Sequence, residues 1–155
     1  MSSSDWGTTR RLPAQVILAD GVTMDGELHL LARTTYPPGP ETPLEMLNRP
    51  EAFFALTLAG HEVALISKAQ VAAVSCRDGV ALLDPDRASV AKAAQLTVEL
   101  AGGSVYDGSA TFELPPNSSR VLDYLNEPGA FFALADGGAI HCLNKSLVRS
   151  IRPLD

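Results

Sequence analysis

A chain of 155 residues has room for one ordinary domain or two very small ones. Its hydrophobic fraction of 46% against 19% charged residues is that of a globular protein and excludes a disordered one. A net charge of −6 repels a polyanion at long range, so nucleic acid is disfavoured as a partner.

The first residues, Met1-Ser2-Ser3-Ser4-Asp5-Trp6, carry no basic region followed by an apolar core, so no secretory signal is expected. No apolar run approaches the roughly 20 residues of a membrane span, and the expected location is the cytoplasm. Arg10 and Arg11 are expected in a solvated N-terminal arm. Two cysteines, Cys76 and Cys142, are too few and too irregular for a disulfide framework and are expected as free thiols on strands.

The chain contains itself twice. Val16–Gly26 (VILADGVTMDG) lies without a gap over Val98–Gly108 (VELAGGSVYDG), and Leu44–Leu56 (LEMLNRPEAFFAL) over Leu122–Leu134 (LDYLNEPGAFFAL). Val63–Val74 then faces Ile140–Ile151, with Lys68 over Lys145. This divides the chain into a first repeat at 12–76, a linker at 77–94 and a second repeat at 95–155.

In each repeat the β-branched alternation of Gln15–Leu18 predicts a strand. Asp20-Gly21 and Gly102-Gly103 supply the positive φ of a tight hairpin. The returning strand runs Met24–Leu31, or Tyr106–Leu114, and its internal glycines Gly26 and Gly108 predict a bulge or bend. A Pro-rich connection follows (Tyr36–Pro40, Pro115–Ser119). Thr42 or Ser119 then caps a single helical turn, closed by Pro50 or Pro128. Three strands complete each repeat: Phe53–Leu58, Glu62–Ile66 and Val71–Ser75, with counterparts Phe131–Ala135, Ala139–Leu143 and Val148–Arg152. The linker is expected to run across the surface with a short helix at Ser89–Ala94.

The expected fold is therefore all-β: two tandem five-stranded small barrels, each with one short helical turn, in pseudo-twofold arrangement. Both repeats resemble the Sm-like fold through Val16–Gly21 with Gly26 and Ile66–Val71, and through Gly103 with Gly108 and Leu143–Val148. SH3-like barrels fit nearly as well. The resemblance implies edge-strand pairing into assemblies and, in that family, single-stranded RNA binding by two loops. Only Asn48 and Asn126 stand near the first loop's role. Lys68 and Lys145 stand where the second loop's Arg-Gly pair belongs.

No chemistry-bearing motif emerges. His29, His61 and His141 have no metal-ligand spacing, and neighbours His141 and Cys142 point to opposite faces of a strand. Neither cysteine sits beside a basic residue at a helix start, and Gly-x-Ser-x-Gly and phosphate-loop patterns are absent. Neither an enzymatic activity, a cofactor nor a metal is expected. Asp25 and Asp107 are expected to satisfy backbone donors at the bend, Asn48 and Asn126 to bond their own backbones, and the two lysines to be solvated or to meet a phosphate.

The doubled phenylalanines are the sharpest signal. Phe53-Phe54 and Phe131-Phe132 lie on strands, so one ring of each pair faces outward and needs cover from the helical turn, the sister repeat or another chain. The expected function is a non-enzymatic protein-interaction or assembly module, with a protein partner or self-association. Single-stranded RNA binding through Asn48, Lys68, Asn126 and Lys145 is the alternative.

Overall fold

The structure, a computed structural model, describes residues 10–33, 38–77, 92–112 and 121–154. It is all-β: β1 Arg10–Leu18, β2 Thr23–Leu30, β3 Phe53–Leu58, β4 Val63–Ser67, β5 Val71–Arg77, β6 Lys92–Leu100, β7 Val105–Phe112, β8 Phe131–Asp136, β9 Ala139–Asn144 and β10 Val148–Leu154. Two helical turns, α1 (Pro43–Leu47) and α2 (Val121–Leu125), precede β3 and β8. No helix among the described residues is long and apolar enough to cross a membrane.

The strands form one ten-stranded antiparallel sheet in the order β10-β6-β7-β8-β9-β5-β1-β2-β3-β4. Each half contributes five consecutive strands in the same internal order, fifth-first-second-third-fourth. Two separate closed barrels are not seen, because β5 and β9 pair across the middle and leave β4 and β10 as open edges. Nor is the arrangement twofold. A twofold would pair like strands, whereas here the fifth strand of one half meets the fourth of the other.

Local chemistry repeats closely between the halves. Gly21 (φ 92°) and Gly103 (φ 97°) turn the first hairpins, and each donates its N–H to a carbonyl, of Leu18 or Leu100, at 2.9 Å. Thr42 caps α1 in a capping box: the Glu45 N–H donates to Thr42 Oγ1 (3.1 Å) and the Thr42 N–H to Glu45 Oε1 (2.9 Å). Ser119, Pro115 and most of the linker lie outside the described residues.

The expected bulge does not fall at Gly26 or Gly108. The β1–β2 register runs unbroken through Gly26 and the β6–β7 register through Gly108. The register shifts lie instead between Ile17 and Leu18 and between Val148 and Ser150. What excludes a side chain is close approach: a Cβ on Gly26 would lie 2.5 Å from Thr57 O and 2.9 Å from Leu56 Cγ, and one on Gly108 would meet Ala135 O and Leu134 Cγ. Two further expectations fail. Arg10 and Arg11 belong to β1, because Leu12, Ala14 and Val16 alternate inward behind them. The end of the expected Ser89–Ala94 helix is strand, since Lys92–Ala94 pair with Phe112–Ala110.

The sheet wraps two cores. The first is built on Val16, Leu28, Leu30, Met46, Leu47 and Leu56 but also takes Phe131, Ile140 and Cys142 from the second half. The second, around Leu96, Val98, Phe132, Leu134 and Leu143, takes Ala72 and Ala73 from β5. Each half thus completes the other's interior. Burial of a large side chain contributes about 1.5–3 kcal/mol, so neither core is independent of the junction. Gly26→Ala and Gly108→Ala are expected to lower stability by about 1–3 kcal/mol each through overpacking. Gly102→Ala, where a Cβ meets nothing within 4 Å, is expected to change little; urea unfolding midpoints compare the three.

Candidate functional site

The β3–β4 hairpin ends the sheet at the first half's side. Register places Phe53 opposite Ser67, Ala55 opposite Leu65 and Thr57 opposite Val63, so these six share one face. On it Phe53 is 58%, Val63 54% and Leu65 72% exposed, while Phe54 on the other face is 7% exposed and part of the core. β4 reads Val-Ala-Leu-Ile-Ser, with no charge or proline, and among the described residues no strand pairs with its outer edge.

The matching hairpin of the second half shows the same face covered. Phe131, Ile140 and Cys142, which correspond to Phe53, Val63 and Leu65, are 3%, 4% and 0% exposed. They are buried against the first half, in its core beside Met46, Leu47, Val74 and Cys76. The outward ring of the second Phe pair is therefore covered by the sister half, and that of the first pair is not.

Asn48 fixes this docking. Its Oδ1 accepts the Phe131 N–H at 2.9 Å and its Nδ2 donates to the Phe131 carbonyl at 3.2 Å. The side chain grips a strand 83 residues away, not its own backbone as expected. Asn126, its counterpart, is exposed, and its backbone N–H donates to Leu122 O at 3.1 Å. A second clasp comes from buried Asn144, whose Nδ2 donates to Val71 O at 2.9 Å.

The lysines are structural. Lys68 is 8% exposed, and its Nζ donates to Met46 O (3.0 Å) and Arg49 O (3.1 Å), binding the carbonyls that end α1. Burial, then the Arg49 charge, pulls its pKa below the usual lysine value, partly offset by Glu51 and Glu41. Lys145 likewise donates to Glu127 O at 2.8 Å, and burial lowers its pKa. The two turn lysines, expected to be solvated or to meet a phosphate, thus donate to carbonyls at the ends of the helical turns.

The expected carboxylate role also changes. Asp25 accepts from Gln15 Nε2 (3.4 Å) and Asp107 from Thr97 Oγ1 (2.6 Å), cross-strand side chains on an unbroken ladder. Both thiols are free and buried, on the same face at the junction. Burial pushes the Cys76 thiol up to about 11 and Cys142 further up. Neither is poised as a nucleophile.

Sequence reasoning missed one constellation because only the junction register creates it. Ser75 stands directly opposite His141, with Oγ 2.7 Å from Nδ1, while His141 Nε2 is 3.8 Å from Asp136 Oδ2. The Tyr106 ring lies against His141, centroids 4.9 Å apart. The order Ser-His-Asp suggests acyl transfer, but Ser75 sits in a strand paired on both sides. The N–H groups beside it belong to the ladders rather than to an oxyanion. His29 Nε2 bonds Thr57 Oγ1 at 2.6 Å, and His61 lies in the β3–β4 turn. Among the described residues no three His, Cys, Asp or Glu side chains converge on a metal position.

No protein family, curated protein or solved structure matches this chain.

Asn48→Ala is expected to lower stability by about 1–3 kcal/mol, since it strands the Phe131 N–H and carbonyl at the junction, and Asn126→Ala to stay within about 0.5 kcal/mol in the isolated chain; urea unfolding distinguishes them. Burial is the largest influence on both His29 and His141 and lowers their pKa below the ordinary 6.5. Below pH 6.5 the unfolded chain therefore binds protons that the folded chain resists, so stability is full above that pH and falls beneath it. Unfolding midpoints are expected to decline as pH falls from neutrality through this range, with a shallower slope in His29→Gln and His141→Gln.

Proposed function

We propose that this chain is a non-enzymatic interaction and assembly module built from two tandem Sm-like repeats, whose working surface is the outer face and free edge of the β3–β4 hairpin. The observation that carries the reading is the contrast between matched positions: Phe53, Val63 and Leu65 at 58%, 54% and 72% exposure against Phe131, Ile140 and Cys142 at 3%, 4% and 0%. Single exposed apolar residues are ordinary. Three on one hairpin face, beside an edge strand without lysine, proline or bulge, are the signature of a surface that expects cover.

Strand addition to β4 would supply backbone hydrogen bonds, and the apolar face would supply the burial. The strand-and-glycine order of each half supports the Sm-like reading. Two free buried thiols suit a reducing compartment and a cytoplasmic setting. Single-stranded RNA suits this site less well, because Lys68 and Lys145 already donate to carbonyls and Asn48 already holds a strand.

Phe53→Ser combined with Leu65→Ser is expected to keep the circular dichroism spectrum, to move stability by no more than about 0.5 kcal/mol, and to abolish association. Sedimentation velocity reads self-association, and a photo-crosslinking residue at position 65 reads capture of other chains in host extract. A wild-type chain that stays monomeric at high concentration and yields no crosslink from position 65 would remove the reading.

A further inference from the structure

The interior of the chain shows what this surface accepts. At the β5–β9 junction, the second half's hairpin face docks on a receiving surface made by α1, β1 and β5 of the first half. On α1 and β5 the receiving residues have more exposed counterparts in the second half, whereas on β1 those of Ala14 and Val16, namely Leu96 and Val98, are both fully buried. Met46 and Leu47, each 1% exposed, correspond to half-buried Tyr124 and Leu125. Val74 at 0% corresponds to half-buried Ile151, and Cys76 at 1% to exposed Pro153. Half-buried Leu44 corresponds to Leu122, which is 59% exposed. Among the described residues the inserting face at β3–β4 is exposed, and the matching receiving face at α2 and β10 is exposed at Leu122, Pro153 and Leu154 and half-buried at Leu125 and Ile151.

We infer that the occupant of the β3–β4 face is a second copy of this chain, seated by its α2–β10 end in the register of the internal junction. This rests on the interaction reading above. Transferring the internal pairs Val74↔Cys142 and Ser75↔His141 places Ile151 opposite Leu65 and Arg152 opposite Ala64. Leu154 then faces Glu62. Arg152 lies diagonal to Glu62 on the same face, within reach of an opposite-charge pair. Asn126 takes the place of Asn48 and grips the Phe53 backbone of the neighbouring chain. Pro153 falls opposite Val63 and brings no N–H donor, so this ladder is shorter than the internal one and the apolar face carries most of the contact.

The two surfaces differ, so the contact is heterologous: each chain offers one of each, and association continues until a ring closes or a filament grows. Leu65→Asp removes the inserting face, and Leu122→Asp with Asn126→Ala removes the receiving face; all three positions are exposed, so folding is kept, as circular dichroism checks. In sedimentation velocity the wild-type chain is expected to form multimers and each variant alone to run as a monomer. The two variants mixed are expected to form a one-to-one dimer, because one intact inserting face meets one intact receiving face. A mixture that stays monomeric, or a Leu122→Asp/Asn126→Ala variant that associates like wild type, would overturn the inference. A monomeric wild-type chain whose position-65 photo-crosslinker captures a different polypeptide would overturn self-pairing and leave the docking surface standing. A monomer with no capture would sink both.

Discussion

The antiparallel ladder between β5 and β9 is the constraint on which the rest of the molecule depends. It sets Val74 against Cys142 and Cys76 against Ile140, and so turns two runs of five strands into a single sheet. Because that pairing joins unlike strands, it drives the β8–β9 face into the first half's interior while lending Ala72 and Ala73 to the second. The same step that completes the cores leaves one hairpin face, and Leu122 on one helical turn, exposed among the described residues. Exposure at the ends of the sheet follows directly from burial at its middle.

Small polar devices hold this arrangement in place. Lys68 ties the carbonyls of Met46 and Arg49, and this steadies α1 where Met46 and Leu47 meet the sister half. Asn48, at the end of that turn, can then aim both amide atoms at the Phe131 backbone. Asn144 answers from the other side by donating to Val71 O. An amide satisfied at both ends beside a buried aromatic is specific in direction and register in a way that hydrophobic contact alone is not. Lys145 repeats the first device, but among the described residues no strand occupies the position that Asn126 would grip.

Much of the strand pattern was legible in the sequence because its causes are local. The glycine turns at Gly21 and Gly103, the Thr42–Glu45 capping box and the alternation of Phe53-Phe54 each follow from a few neighbouring residues. What was not legible depends on residues far apart in the chain. Nothing near Asn48 announces a partner 83 positions away, and nothing near Lys68 reveals that its amine is buried. The need for glycine at position 26 comes from Thr57 across the sheet, which no neighbouring residue announces. In Lys92–Ala94, helix-favouring composition yields to pairing with β7, a tertiary preference overriding a local one. Arg10 and Arg11 extend β1 through the two-residue period of Leu12, Ala14 and Val16, a period that their charges and Pro13 mask in the sequence.

The interlocked cores also bear on how separable the two halves are. An isolated first half would bare Met46, Val74 and Cys76, and an isolated second half would bare Phe131 and Ile140, so neither is equipped to stand alone in water. Covalent continuity through 78–91 raises the local concentration of one half around the other, but the specificity of their union resides in the sheet. Cleavage within that stretch would therefore give a nicked pair that stays together, and the two pieces made separately would behave as complementing fragments.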